Sequence, residues 1–249
     1  MSGHSHWARI KHKKGVTDAR RGRLWSKLAR NIIVAAKRGG GDPDQNLTLR
    51  YAIDKAKGAN MPKDTIENAV KKGVGGGEAT NYETVYYEGY GPGGVAVLAE
   101  ALTDNRNRTA PEIKKIFERH GGNIGAAGCV QWMFSSKGLI MVPIAAADED
   151  KIGEIALESG ADDYVKSEDI WEIVCEPAAF EPIREALAKA GIQTQSAEII
   201  RRPSTTVTVD AENGQKLLRL IEAIEDQDDI QNVYSNFDIP DDVMAAMGN

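Results

Sequence analysis

A glycine-rich segment divides this chain of 249 residues into two parts that differ in both pattern and charge. The segment reads Gly73-Val74-Gly75-Gly76-Gly77, a composition typical of a linker. Before it, apolar residues recur with the period of an α-helix, and after it β-rich runs alternate with helical ones. The chain therefore predicts a multidomain α+β fold, in which a small N-terminal helical bundle is followed by two ferredoxin-like α+β units, the second inserted into the first.

The charge changes at the same place. Residues 1–80 carry 17 Lys and Arg against 7 Asp and Glu, a net charge of +10, whereas residues 81–249 carry 14 against 30, a net charge of −16. A strongly basic part within an acidic protein is the electrostatic footprint of a polyanion partner, most often nucleic acid.

Three domains are predicted from these changes in pattern. Residues 1–78 form a basic arm plus the helical bundle. Residues 79–134 and 204–249 together form a split α+β domain, and residues 135–203 form an inserted domain with the order βαββαβ.

The helical bundle is predicted from apolar periodicity and from stop signals. One helix is expected from Arg20 to Arg38, a second from about Asn46 to Lys57, and a third that begins at Pro62. Gly73 is expected to lie just after the end of the third helix.

In the split domain, Thr109-Ala110-Pro111-Glu112 predicts a capping box at the start of a helix. A strand is expected near residues 130–134. The tail is expected to add a strand, a helix and a last strand, which complete the fold of residues 79–134.

Ten cations lie within the 28 residues from Lys11 to Arg38, together with a single acid, Asp18. With so few acids available for pairing, we favour phosphate binding over a merely solvated surface. Charge reversal at Lys27, Arg30 and Lys37 is therefore expected to abolish nucleic-acid binding and to leave folding intact, because these side chains point away from the bundle core. Trp7 could stack on a base or dock on the protein itself. The predicted nucleic-acid contacts in this part are Trp7, Lys11, Lys13, Lys14, Arg20, Arg21, Arg23, Lys27, Arg30, Lys37 and Arg38.

A second anion site is predicted where two arginines, Arg106 and Arg108, meet the start of a helix. Unpaired amides at a helix N-terminus attract anions, and the arginines would strengthen that attraction. The alternative is that they pair with Asp104 or Glu112. No zinc-finger spacing and no RNA-stacking aromatic signature is visible, so the predicted contacts are to phosphates.

Other chemistry finds little support in the sequence. The run Gly89-Tyr90-Gly91-Pro92-Gly93-Gly94 matches a dinucleotide-binding pattern, but a β-rich run follows it where that motif needs a helix, so a strand–turn–strand connection is expected. Cys129 and Cys175 lack metal-ligand spacing. We predict no catalytic residues, no metal and no cofactor.

The chain is also expected to avoid membranes. Its longest apolar stretch, residues 139–147, is far shorter than the ~20 residues that a membrane helix needs, and the N-terminus lacks the apolar core of a secretory signal. We therefore expect a cytoplasmic protein with no membrane contact and no small-molecule substrate.

Six segments spread along the chain form a combined pattern. They are Gly3-His4-Ser5-His6-Trp7, Ile10-Lys11-His12-Lys13-Lys14, Gly39-Gly40-Gly41-Asp42-Pro43-Asp44, Asn60-Met61-Pro62-Lys63-Asp64, Tyr87-Glu88-Gly89-Tyr90-Gly91-Pro92-Gly93-Gly94 and Thr103-Asp104-Asn105-Arg106-Asn107-Arg108-Thr109. With these segments the chain resembles the YebC/PmpR family of transcriptional regulatory proteins nearly end to end. Two positions depart from the usual pattern of that family, which has Lys where this chain has His6 and Asn where it has Arg9.

This resemblance implies a three-domain cytoplasmic protein that binds DNA and regulates transcription. Mitochondrial relatives are described as translational activators, and some bacterial members are linked to ribosomes stalled on proline-rich stretches. The first hypothesis is therefore a non-enzymatic DNA-binding regulator. The alternative is a ribosome-associated translation factor that uses the same basic surface on ribosomal RNA and relieves stalling.

Overall fold

The helical bundle forms as the apolar periodicity predicts. The computed structural model describes residues 18–75, 81–167, 169–240 and 243. Helix α1 spans Asp18–Gly39, α2 spans Leu47–Gly58 and α3 spans Lys63–Val74. Their apolar faces meet in a common core built from Leu28, Ile32, Ala35, Ala36, Leu49, Ala56, Met61, Ile66 and Ala69.

Two residues, Asn46 and Gly73, fix how the helices of the bundle connect and pack. Asn46 caps α2 by accepting a hydrogen bond from the Leu49 amide at 3.1 Å, and its own amide donates to the Ala35 and Gly40 carbonyls. Gly73 lies inside α3 and not after its end, so that prediction was wrong. A Cβ atom there would stand 2.6 Å from the Ile33 carbonyl oxygen, and only glycine allows α3 to approach α1 this closely.

The first α+β unit is built on a four-stranded antiparallel sheet, in which the order of the strands is β3 (Asn123–Ile124), β1 (Glu83–Gly91), β2 (Val95–Thr103) and β9 (Ile230–Ser235). Its helices bury one face of this sheet, with Ile113, Phe117, Leu217, Leu220 and Ile224 in the core. A short parallel pair lies beside the main sheet. The elements are β1 Glu83–Gly91, β2 Val95–Thr103, α4 Arg106–Arg119, β3 Asn123–Ile124, β8 Val207–Thr208, α7 Ala211–Glu225, β9 Ile230–Ser235 and β10 Phe237–Asp238.

The glycine-rich motif at residues 89–94 is a strand–turn–strand connection, as predicted. Strands β1 and β2 pair from Glu83 with Thr103 to Gly91 with Val95, and a single 3-10 turn joins them. Gly93 and Gly94 adopt φ values of 76° and 73°, which a side chain disfavours.

Two predictions in this unit were wrong. Helix α4 begins at Arg106 with Asn105 as its N-cap, so Thr109 lies within the first turn and forms no capping box. No strand forms at residues 130–133; a 3-10 turn, Gln131–Met133, occupies that place, and strand β4 starts at Phe134. The Arg108 amide donates to the Asn105 side chain, and the Val130 and Gln131 amides donate to the Glu88 carboxylate.

The second unit has the predicted order βαββαβ. Its elements are β4 Phe134–Pro143, α5 Glu149–Glu158, β5 Asp163–Ser167, β6 Ile170–Cys175, α6 Phe180–Lys189 and β7 Ser196–Pro203, and its sheet order is β5-β6-β4-β7. Ile140, Trp171, Ile173, Phe180 and Ile183 are buried within it.

The contacts group the chain into two compact units, one of residues 1–134 with 203–249 and one of residues 135–202. The predicted α+β class, with helices first and strand-containing units after them, is confirmed. The division into three domains stays a prediction. Within the described ranges, no helix is both long and apolar enough to cross a bilayer.

Candidate nucleic-acid interface

The basic residues of α1 fall into two groups along the helix. Arg23, Lys27 and Arg30 reach the turn Glu225–Asp229 between α7 and β9, which we call the 225–229 turn. Arg23 lies 3.8 Å from the Asp226 carboxylate. The Lys27 ammonium donates hydrogen bonds to the backbone carbonyls of Glu225 and Gln227 at 2.5 and 2.8 Å. These cations therefore contact the protein itself.

Arg30 contacts both a carboxylate and backbone carbonyls. Its guanidinium lies 3.1 Å from the Asp229 carboxylate and donates also to the Asp228 and Leu102 carbonyls at 3.0 and 3.3 Å. It lies 5.3 Å from the centre of the Tyr82 ring, within cation–π range. Only 18% of the Arg30 side chain is exposed, so most of its charge is satisfied inside the protein.

The carboxylate of Asp229 joins α1 to the α+β unit. It is 5% exposed and accepts from Arg30 on one oxygen, and from Arg108 at 2.8 Å and Thr109 at 2.7 Å on the other. Burial alone would raise the pKa of Asp229. Hydrogen bonds from Arg108 and Thr109, with the charges of Arg108 and Arg30, outweigh burial and hold that pKa below its ordinary value.

The backbone around Asp229 is itself held in place. Its amide donates to the Gln227 side-chain oxygen at 2.7 Å, and its carbonyl accepts from the Leu102 amide at 2.8 Å. The β2–β9 pairing shifts register next to this contact, between Glu100 and Ala101. The position of the carboxylate is therefore set by strand pairing as well as by the arginines.

The predicted anion site at the start of α4 is occupied by the protein's own acids. Arg108 pairs with Asp104 at 2.9 Å as well as with Asp229, and hydrogen bonds to Asp229 and Asp104 raise its pKa. Arg106 lies 3.1 Å from the Glu83 carboxylate. Arg108 thus follows the alternative in which the arginines pair with neighbouring acids.

The second group of cations lies at the C-terminal end of α1. Lys37 and Arg38 are both exposed there, and the Lys37 ammonium donates to the Asn81 side chain at 2.9 Å. A Cβ atom on Gly73 would lie 3.2 Å from the Lys37 amide, so the last turn of α3 meets α1 at this point. That turn carries two further exposed lysines, Lys71 and Lys72. We call these four residues, Lys37, Arg38, Lys71 and Lys72, the basic end.

Lys71 and Lys72 were not among the contacts predicted from the sequence. A signal was present, because residues 68–75 contain these two cations and no acid. Their proximity to the end of α1 depends on the packing of Gly73, which was expected outside the helix.

The remaining predicted contacts can be placed only in part. Trp7, Lys11, Lys13 and Lys14 lie outside the described residues, as does the side chain of Arg20. Arg21 is exposed on the first turns of α1.

Lys27, Arg30 and Lys37 lie outside the bundle core, as the sequence suggested. However, the Lys27 and Arg30 side chains end on the 225–229 turn, whereas Lys37 belongs to the basic end. The reason is that the turn offers a carboxylate and several carbonyls to this part of α1.

The described part of the chain contains no group of three or more His, Cys, Asp or Glu residues able to hold a metal ion. Cys129 and Cys175 form no disulfide, and burial raises the pKa of the Cys175 thiol to about 11. A thiol with a raised pKa is a poor nucleophile at neutral pH.

Comparison with known families accounts for nearly the whole chain. Residues 5–76 match the TACO1/YebC protein N-terminal domain, and residues 82–237 match the TACO1/YebC second and third domain.

Individual relatives are similar over their full length. A probable transcriptional regulatory protein of Geobacter sulfurreducens is 54% identical over 99% of this chain and 100% of its own length. One from Citrifermentans bemidjiense is 52% identical over the same shares. Among solved structures, a conserved hypothetical protein from Aquifex aeolicus is 48% identical, with a TM-score of 0.85 over 95% of this chain and 98% of its own.

Proposed function

This chain belongs to the TACO1/YebC family, and we propose that it is a DNA-binding transcriptional regulatory protein that catalyses no reaction. It binds phosphates through the N-terminal arm and the helical bundle, and it acts in the cytoplasm. Cofactors, small-molecule substrates and membranes have no part in the proposal. The names of its relatives, probable transcriptional regulatory proteins, support the transcriptional role.

The observation that carries the proposal is the basic end. Two exposed cations lie at the C-terminal end of each of two helices that pack together there, in a part of the chain whose net charge is +10. Like charges brought together repel one another, and a polyphosphate relieves that repulsion while its own counterions are released. These contacts are to phosphate and not to base edges, so they position the protein without reading sequence.

The arm adds to this surface in our proposal. Lys11, Lys13 and Lys14 precede α1 directly, and Arg20 and Arg21 lie on its first turns. If arm and basic end together neutralise about six phosphates, the logarithm of the binding constant falls with the logarithm of salt concentration with a slope near −5.

The cations that contact the 225–229 turn have a different role in the proposal. Lys27, Arg30 and Arg108 already satisfy their charge on Asp229 and on backbone carbonyls. We propose that they support binding indirectly, by holding α1 against the α+β unit.

Fluorescence anisotropy with a labelled random duplex tests the basic end. The double variant Lys71→Glu, Lys72→Glu should bind about tenfold or more weakly and should flatten the salt slope by about 2. The matched control is Lys114→Glu, Lys115→Glu, an exposed lysine pair on α4 with the same change in net charge. Equal losses in both variants would show that overall charge, and not the basic end, drives binding.

A second experiment tests the level of gene expression at which the protein acts. A transcriptional regulator should select genomic duplexes that it binds ~10³-fold more tightly than random DNA. In a deletion strain, paired RNA sequencing and ribosome profiling should then show changed transcript levels. Local ribosome pausing with unchanged transcripts, together with co-sedimentation of the protein with ribosomes, would contradict the transcriptional role and support the translational alternative.

A further inference from the structure

Trp132 is an aromatic side chain that the protein leaves exposed. It lies on the 3-10 turn Gln131–Met133, and 75% of its surface is accessible. Its one polar atom, the indole N–H, donates to the Cys129 carbonyl at 3.1 Å. The hydroxyl of Tyr90, itself 36% exposed, donates to the same carbonyl at 3.4 Å. The ring is therefore held at its edge while most of its surface is accessible.

The loop that presents Trp132 is fixed by a buried acid. Glu88 is 3% exposed, and its carboxylate accepts from the amides of Gly128, Val130 and Gln131 at 2.6 to 2.8 Å. Its backbone carbonyl accepts from the Gly125 amide at 2.8 Å. Hydrogen bonds from amides to a buried carboxylate are strong, so residues 125–131 form a preorganised support.

From this geometry we infer that Trp132 is a stacking site for an unpaired nucleobase of single-stranded nucleic acid. Every nucleobase presents a flat π-face, and an exposed aromatic ring binds it with little dependence on sequence. Because the support is already ordered, little conformational freedom is lost on binding. The inference rests on the proposed function, to which it adds unpaired strands as a second class of nucleic acid bound beside the duplex.

Local charge favours a nucleic-acid partner over other polymers. Residues 119–135 contain no acid, although residues 81–249 as a whole carry a net charge of −16. A phosphate backbone near Trp132 therefore meets no cluster of carboxylates in this segment.

The size of the exposed aromatic area also favours a single base. Residues 125–128, which precede Trp132 in the same loop, are all glycine or alanine, and Val130 is fully buried. The exposed Trp132 ring, even with the partly exposed Tyr90 that donates to the same carbonyl, offers too little apolar area for the core of a stable protein interface. Duplex DNA keeps its bases stacked on each other, so the site is open only to unpaired bases.

Three labelled probes test the inference by anisotropy: a 12-nucleotide oligothymidylate, an abasic strand with the same phosphates, and a long random duplex. Trp132→Ala should weaken binding of the oligothymidylate about 5- to 150-fold and leave the other two probes unchanged. Trp132→Phe, which keeps a π-face, should restore much of the lost affinity. In a Trp7→Phe background, the oligothymidylate should quench tryptophan emission, and Trp132→Phe should remove that quenching.

The outcomes separate this inference from the proposed function. Unchanged affinity of Trp132→Ala for the oligothymidylate would overturn the inference. The exposed ring would then be assigned to a contact with another protein. Equal losses for all three probes would overturn it too, because they would reveal a general effect on the fold. Failure of the unsubstituted protein to bind any probe would count against the proposed function itself.

Discussion

The cations along α1 differ in burial and in the groups that they contact. Arg30 and Arg38 lie two turns apart on one helix, in a stretch that the sequence presents as uniformly basic. Arg30 is largely buried and ends on Asp229, whereas Arg38 is exposed at the basic end beside Lys71 and Lys72.

This contrast teaches that a run of cations in a sequence can serve two purposes at once. One part offsets the acids of a distant segment and holds the fold together. The other part stays at the surface, where it is available to an external anion. Residue type does not distinguish the two, because both are arginines on the same helix; their surroundings do.

Matched charge reversals at these positions should separate the two roles most clearly. Arg30→Glu places a second carboxylate against buried Asp229 and should lower the free energy of unfolding by about 3–5 kcal/mol. Arg38→Glu should change it by less than about 1 kcal/mol, because the side chain is exposed at a helix end. Chemical denaturation checks stability, and duplex anisotropy should show weaker binding by well-folded Arg38→Glu.

If Arg30→Glu proved as stable as the unsubstituted protein, the contact with Asp229 would not hold α1 in place. Arg30 and Arg38 would then not differ in their contribution to stability.

Removing the charge of Asp229 tests the same contact from its other side. Asp229→Asn leaves the Arg30 and Arg108 guanidinium groups without their shared carboxylate and should cost about 2–4 kcal/mol, since Arg108 is partly screened by solvent. Asp228→Asn, an exposed neighbour with the same change in charge, should cost less than about 0.5 kcal/mol. Equal midpoints for these two variants in a denaturant titration would argue against a structural role for Asp229.

Acid should weaken the contact between Asp229 and its two arginines over a defined range of pH. This is the smallest of the predicted effects on stability. The pKa of Asp229 is lower in the folded state than its ordinary value near 3.9. Its contribution is therefore fully present above about pH 4 and is lost as the pH falls through the folded pKa. The stability difference between the unsubstituted protein and Asp229→Asn should stay constant from pH 7 to about pH 5 and shrink below about pH 4. A difference that widened in acid would reverse the assigned sign.

Much of the fold could be predicted because its signals are local. Apolar periodicity located α1, α2 and α3, and the predicted order βαββαβ matches the second unit. Helical and strand periods are set by backbone geometry, so they are written in residues close together in the chain.

The wrong predictions share a cause. Asn105 caps α4 in place of Thr109, and Thr109 instead donates its hydroxyl to Asp229, which lies 120 positions later. Gly73 was taken as a helix stop, yet its lack of a side chain serves the contact between α3 and α1. In each case a distant partner decided the role of a residue whose local signal was ambiguous.

Only part of the candidate interface could be predicted from the sequence. The density of cations from Lys11 to Arg38 pointed to a polyanion partner, and that proposal stands on the charge of those residues. Lys71 and Lys72 were missed because their nearness to Arg38 depends on helix packing. Trp132 was missed because its exposure depends on Glu88, which lies 44 positions before it and orders the loop.

The sequence by itself determined which segments are helical or extended, where the chain changes from basic to acidic, and which family it resembles. These properties are local or additive, so they do not depend on which segments meet. Only the tertiary structure decided which cations are neutralised and which remain exposed. Coulomb interactions weaken with distance and with exposure to water, and separation along the chain does not reveal how near two charges lie in space.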